Sequence, residues 1–297
     1  MKFDTIIALA FEVYIMRSNL IFDVGLHLGE DSEFYLKKGF DVVAVEASPQ
    51  NAAASARRLR PYIDSGKLFI VNKAIAREEG PITFFASDHS EWGTTDRDWV
   101  ERNRRLGSSI CEIVVPGIPF SNLLREYGTP YYIKIDIERA DLLCLEALLD
   151  SCDRPKYLSI ESSKTSFEEL VSEFCLLQRL GYKKYKIVDQ SRVREQHLPN
   201  PAREGRFVDH VFEDGSSGAF GRELAGEWLT LEQALQAYMR IFKKYHLDGD
   251  FGLIARVVRD SNVLSFANNI LRRSQVLRRI RSRLRAGWHD IHAMRED

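Results

Sequence analysis

Short apolar runs alternate with amphipathic stretches over the first two thirds of the chain. Leu20-Ile21-Phe22 is β-branched or aromatic in part and too brief for a helix, which predicts a buried strand. From Glu30 onward Phe34 and Tyr35 fall at helical spacing, and Gly39 supplies a stop. Asp41 to Glu46 reads as a second strand ending in an acid. Ser48 then caps, and Pro49 opens, an alanine-rich helix reaching to about Tyr62. Leu68 to Val71 predicts a third strand, with Pro81 to Ala86 a short strand in the same region. Pro119 to Tyr127 is a helix, Tyr131 to Ile137 a fourth strand, Ala140 to Leu149 a helix and Lys156 to Glu161 a fifth strand. A helix from Ser166 to Leu180 and a strand from Lys183 to Val188 continue the alternation, which predicts an α/β, mostly parallel, doubly wound sheet.

Two regions break the pattern. Ser87 to Gly107 is polar, aromatic and irregular, as expected of a loop or short helix over a site. Beyond Asp189, Phe207 to Phe212 could supply a final strand, and 213–218 is rich in turn residues. Helices are expected over Thr230 to Tyr245 and Val263 to Leu284, the second with Ile270, Leu277, Ile280 and Leu284 on one face. The chain thus divides into an N-terminal extension (1–18), a main domain (19–215) and a C-terminal helical extension (216–297). Ile6 to Met16 is apolar but broken by Glu12 and too short for a membrane span. With no basic region beyond Lys2 it does not read as a signal peptide; it fits an extra element on the core, or an extension upstream of a start at Met16.

Composition narrows the class. Hydrophobic residues at 44% with 29% charged suit an ordinary globular core. With 42 basic and 43 acidic residues the balance favours neither nucleic acid nor membrane, although seven arginines crowd Arg272 to Arg285. No aromatic interleaving supports RNA recognition. Cys111, Cys144, Cys152 and Cys175 lack CxxC spacing and read as reduced thiols of a cytoplasmic protein.

The chemistry lies at the strand ends. Asp23, Glu46, Asp136 and Glu161 close successive strands, and Gly25 and Gly29 follow the first; in a doubly wound sheet all these ends meet a ligand along one edge. Glu46 stands 21 positions past Gly25, the distance at which an acid reaches ribose hydroxyls. A nicotinamide dinucleotide needs G-x-G-x-x-G to cradle its pyrophosphate, whereas here His27 occupies the place of the second glycine. A nucleoside ligand without phosphate, such as S-adenosylmethionine, needs only a close backbone approach and a carboxylate.

Four stretches in order, Phe22 to Gly29, Val43 to Pro49, Asn72 to Ala76 and Tyr132 to Glu138, resemble the motifs of the FkbM family of S-adenosylmethionine-dependent methyltransferases. The resemblance implies a Rossmann-like class I methyltransferase with a seven-stranded sheet, acting on hydroxyls of a sugar, glycan or small natural product. It implies that Asp23, Gly25, His27 and Gly29 line the methionine end, Glu46 the ribose, and Asn72 to Ala74 the adenine, while Asp136 and Glu138 face the reacting groups. The chain departs from the family at His27, where Asn is common, and at Arg139, where Gly is usual. Asp136 is the first candidate for a base or metal ligand. His289, Asp290 and His292 are a weaker divalent-metal set, the two histidines sharing a face if they lie on a helix. His89, Glu91, Trp92 and Tyr131 are candidates for the acceptor pocket. The alternative is a catalytically silent binding module on the same fold; a dehydrogenase ranks behind both, and nothing in the pattern assigns an oligomeric state.

Overall fold

The computed structural model describes residues 17–89, 92–163, 166–248 and 287–296. The Ile6 to Met16 segment, Glu91 and the Arg-rich Val263 to Leu284 stretch lie outside the described residues. The chain falls into two compact units, Met1–Lys156 and Tyr157–Asp297.

The first unit runs β1 (Arg17–Val24), α1 (Glu30–Lys37), β2 (Asp41–Val45), α2 (Pro49–Arg58), α3 (Arg60–Asp64), β3 (Leu68–Val71), β4 (Ala74–Ile75), β5 (Gly80–Ser87), α4 (Arg97–Arg105), β6 (Ile110–Ile118), α5 (Phe120–Tyr127), β7 (Pro130–Ile135) and α6 (Asp141–Leu149). The second contains β8 (Tyr157–Glu161), α7 (Phe167–Arg179), β9 (Tyr182–Asp189), α8 (Leu231–Asp248) and β10 (His289–Arg295). In the first unit β3-β2-β1-β7 form the central sheet, all parallel, and in the second β8-β10-β9 form a sheet with β10 antiparallel to both neighbours.

Leu20–Val24 and Val42–Val45 are buried without interruption, the mark of strands covered on both faces. Phe22 packs edge-on against Phe120 of α5, while Tyr132, on the other face by register, meets Tyr35 of α1. Asp23 is level with Ala44 on one side and Lys134 on the other. The carboxyl ends of β1, β2 and β7 therefore align, and Gly25, Glu46 and Asp136 follow them at one edge.

Ser48 caps α2 as expected, its Oγ accepting from Asn51 N at 3.3 Å. The single helix expected to Tyr62 is two, because Pro61 cannot sit inside a continuous helix and instead opens α3. β5 belongs not to the central sheet but to a separate three-stranded one, ordered β4-β6-β5, with Ala74, Phe84 and Val115 at its core. The irregular Ser87 to Gly107 stretch contains α4, capped by Asp96, whose Oδ1 accepts from Asp98 N and Trp99 N. Phe207 to Phe212 forms no strand; Phe207 and Val211, which would share one face of a strand, are 45% and 76% exposed, while Phe212 is buried. The strand that completes the second unit is β10, from a segment whose polar residues read as a helix end. Among the described residues no helix is long and apolar enough to cross a membrane.

Candidate functional site

The turn after β1 is built on a close backbone approach. Gly25 N and Leu26 N both donate to Val45 O at 3.0 Å, and Asp136 N donates to Val24 O at 2.8 Å. A Cβ on Gly25 would lie 1.9 Å from the Asp136 carbonyl oxygen, and φ there is +97°, so glycine alone fits. His27 also takes a left-handed conformation, φ +52°, which His, like Asn, adopts more readily than most residues. Gly29, φ +86°, then leads into α1.

Glu46 ties this turn to the next. Its Oε2 accepts from His27 N and its Oε1 from Ser48 N, each at 2.8 Å. Burial pushes the carboxyl above the usual glutamate range, and the two backbone donors partly oppose that. Asn72 Nδ2 donates to Glu46 O at 2.7 Å and so braces the end of β2, whereas Ala74 is buried in the core of the small sheet.

Beneath the turn lies a charge centre that the strand-end pattern does not reveal. Lys134 is buried, with Nζ 3.3 Å from Asp23 Oδ1, 3.8 Å from Asp31 and Asp136, and donating to Gly25 O at 2.7 Å. Burial disfavours its charge, but the carboxylates of Asp23, Asp136 and Asp31 outweigh that and hold Lys134 protonated far above neutral pH. Ser32 Oγ donates to Asp23 Oδ2 at 2.7 Å. The available signal was a lysine inside the apolar run Tyr131 to Ile137. Asp23 is thus a wholly buried anchor, while the Asp136 side chain is 42% exposed at the edge.

The loop after β7 has Glu138 at φ +46° and Arg139 at φ +84°. Arg139 therefore holds a left-handed backbone conformation that glycine adopts without strain.

Other candidates lie elsewhere. Tyr131 stacks on Phe40 (centroids 6.2 Å, planes 11° apart) near the amino end of β7, the end opposite Asp136, and so leaves the acceptor group. His89 and Trp92 pack on each other at 4.5 Å in the segment leading to α4. His289, Asp290 and His292 lie on a strand, which sends His289 and His292 to opposite faces. Asp290 accepts from Gln190 Nε2, and burial, with Lys186 adding to it, pulls His292 down to about 3. The metal set therefore does not converge, and among the described residues no three His, Cys, Asp or Glu side chains are grouped to hold an ion. Glu161 ends β8 opposite Asp290. All four cysteines are free, with Cys144 buried.

An α/β sheet whose strands end in acids, with a glycine turn locked to a buried glutamate, is a Rossmann-like nucleoside-binding architecture. A family model described as the methyltransferase FkbM domain matches residues 23–184, more than half of the chain, and the protein belongs to that family. No curated protein matches it. Among solved structures it is similar to precorrin-6y C5,15-methyltransferase from Geobacter metallireducens GS-15, at 11% identity and TM-score 0.34, covering 59% of this chain and 69% of that one. The methyltransferase domain of bacterial CtHen1-C is similar at 10% identity and TM-score 0.32, covering 60% and 84%. YjhP from E. coli is similar at 12% identity and TM-score 0.34, covering 95% and 88%.

Proposed function

We propose that the protein transfers a methyl group from S-adenosylmethionine to a hydroxyl oxygen of a sugar, glycan or small natural product. The observation that carries this reading is Glu46. An ionised carboxylate accepts about four hydrogen bonds, and the two backbone donors it already meets leave capacity for a pair of ribose hydroxyls. His27 stands where a pyrophosphate cradle needs glycine, so the donor set suits a nucleoside without phosphate.

On this reading Glu46 and Asn72 hold the nucleoside side, and the Gly25–Gly29 turn with Asp23 beneath it shapes the methionine side. When bound, S-adenosylmethionine supplies an electrophilic methyl on a sulfonium. The chain's own task is to hold the acceptor in line, exclude water and take a proton. Positioning alone lowers such a barrier by up to about 7–11 kcal/mol, and a base adds about 10²–10⁴-fold. Asp136 is the group to take the hydroxyl proton on its exposed carboxylate, with Lys134 orienting it from 3.8 Å.

Calorimetric titration with S-adenosylmethionine and, separately, NADH tests the ligand. Micromolar binding of the first and none of the second is expected; the reverse overturns the reading. Transfer of labelled methyl to a panel of glycans and small alcohols then separates an enzyme from a silent binding module. Asp136→Asn is expected to bind the cofactor normally while turnover falls at least about 100-fold.

A further inference from the structure

Glu138 lies two positions past Asp136, where a second carboxylate would suit acid–base chemistry, yet its groups are engaged elsewhere. Its Oε2 accepts the indole N–H of Trp99, and its carbonyl oxygen accepts from Thr94 Oγ1 at 2.8 Å. Both donors belong to the segment between β5 and β6 that carries α4. Asp96, the cap of α4, stands 3.8 Å from Arg139 Nε, and the guanidinium groups of Arg102 and Arg139 lie 4.5 and 5.3 Å from the Trp99 ring. The loop is also pinned from its far side, where the Asp141 carboxylate accepts from Ile137 N and Arg139 N at 3.2 Å each. Two consecutive left-handed residues that are not glycine persist only where the surroundings over-determine them.

We infer that Glu138 is a positioning residue, a latch that fastens the α4 segment to the loop carrying Asp136, and not a second base. What the latch serves, holding Asp136 at the edge of the site, rests on the methyl-transfer reading; the latch itself does not. Substitutions separate the two roles. The carbonyl oxygen of Gln accepts the indole N–H but takes no proton, so Glu138→Gln preserves a latch and abolishes a base. Glu138→Ala removes the acceptor. Trp99→Phe removes the donor while leaving a ring for both guanidinium groups.

Amide hydrogen exchange of the full chain, read by mass spectrometry over 92–106 and 136–141, tests this, with S-adenosylhomocysteine titrated calorimetrically into each variant. Exchange in both segments is expected to rise together, about tenfold, in Glu138→Ala and Trp99→Phe, and to stay within about twofold of the parent in Glu138→Gln. Glu138→Gln is also expected to match the parent's S-adenosylhomocysteine affinity. Exchange in Glu138→Gln as fast as in Glu138→Ala, or full protection in Trp99→Phe, would overturn the latch. If the parent itself fails to bind S-adenosylhomocysteine, the methyl-transfer reading falls, and the exchange comparison still decides the latch.

Discussion

At Gly25 a methyl group would collide with the Asp136 carbonyl, whereas at Gly39, with a near-identical φ of +98°, nothing lies within 4 Å. Gly39→Ala should therefore cost only the backbone strain, about 1–2 kcal/mol, and Gly25→Ala about 3 kcal/mol or more, as read from chemical denaturation midpoints. Glu46→Gln keeps one carbonyl acceptor for two backbone donors, so on the methyl-transfer reading S-adenosylmethionine affinity is expected to fall about tenfold or more. Because burial raises the Glu46 carboxyl, protonation turns one of its two acceptor oxygens into a donor at a pH above that of an ordinary glutamate. On the methyl-transfer reading, cofactor affinity should accordingly fall on acidification at a higher pH than an ordinary glutamate would give, in a calorimetric pH series. The placement of Asp23, Gly25, Glu46 and Asp136 at the strand ends was legible because strand ends and turn glycines follow local rules. Lys134 was not, since a lone lysine in an apolar strand looks solvent-facing until three carboxylates are seen around it. Trp99 was hidden for a related reason, its partner Glu138 lying 39 residues away.

The regular βα alternation could be read from periodicity, and the misread elements each hide a local exception. β6, for which no strand was predicted, carries Pro116 and Gly117, and β4 pairs only with Gly117 and Ile118, so at Pro116 the strand has a neighbour on one side alone. β10 hides behind polar residues, because Asp290 and His292 are buried at 7% and 2% exposure in a strand paired on both edges. Such a strand tolerates no break. Ile291→Pro removes a ladder donor in a fully buried position and should destabilise by about 3 kcal/mol or more, measured by urea unfolding, while Trp288→Ala, at a residue 53% exposed, should stay within about 0.5 kcal/mol.

The chain's acid sensitivity is set in part by His292. Unfolded, its imidazole takes a proton near pH 6.5; folded, burial holds it neutral down to about 3. Between those values the unfolded state binds the extra proton, so the stabilisation present above pH 6.5 is lost as pH falls, by up to about 1.4 kcal/mol per pH unit. His292→Leu is expected to flatten that part of the stability–pH profile in denaturant titrations between pH 7 and 4. The placement of β10 also bears on how the molecule is made. It inserts between β8 and β9, yet its first residue, His289, follows the last of β9, Asp189, by a hundred positions. At about 5–20 residues per second, a ribosome needs about 5–20 seconds to supply it. Throughout that interval β8 and β9 each lack the β10 neighbour they have in the folded chain, and open strand edges of that kind are templates for pairing with other chains.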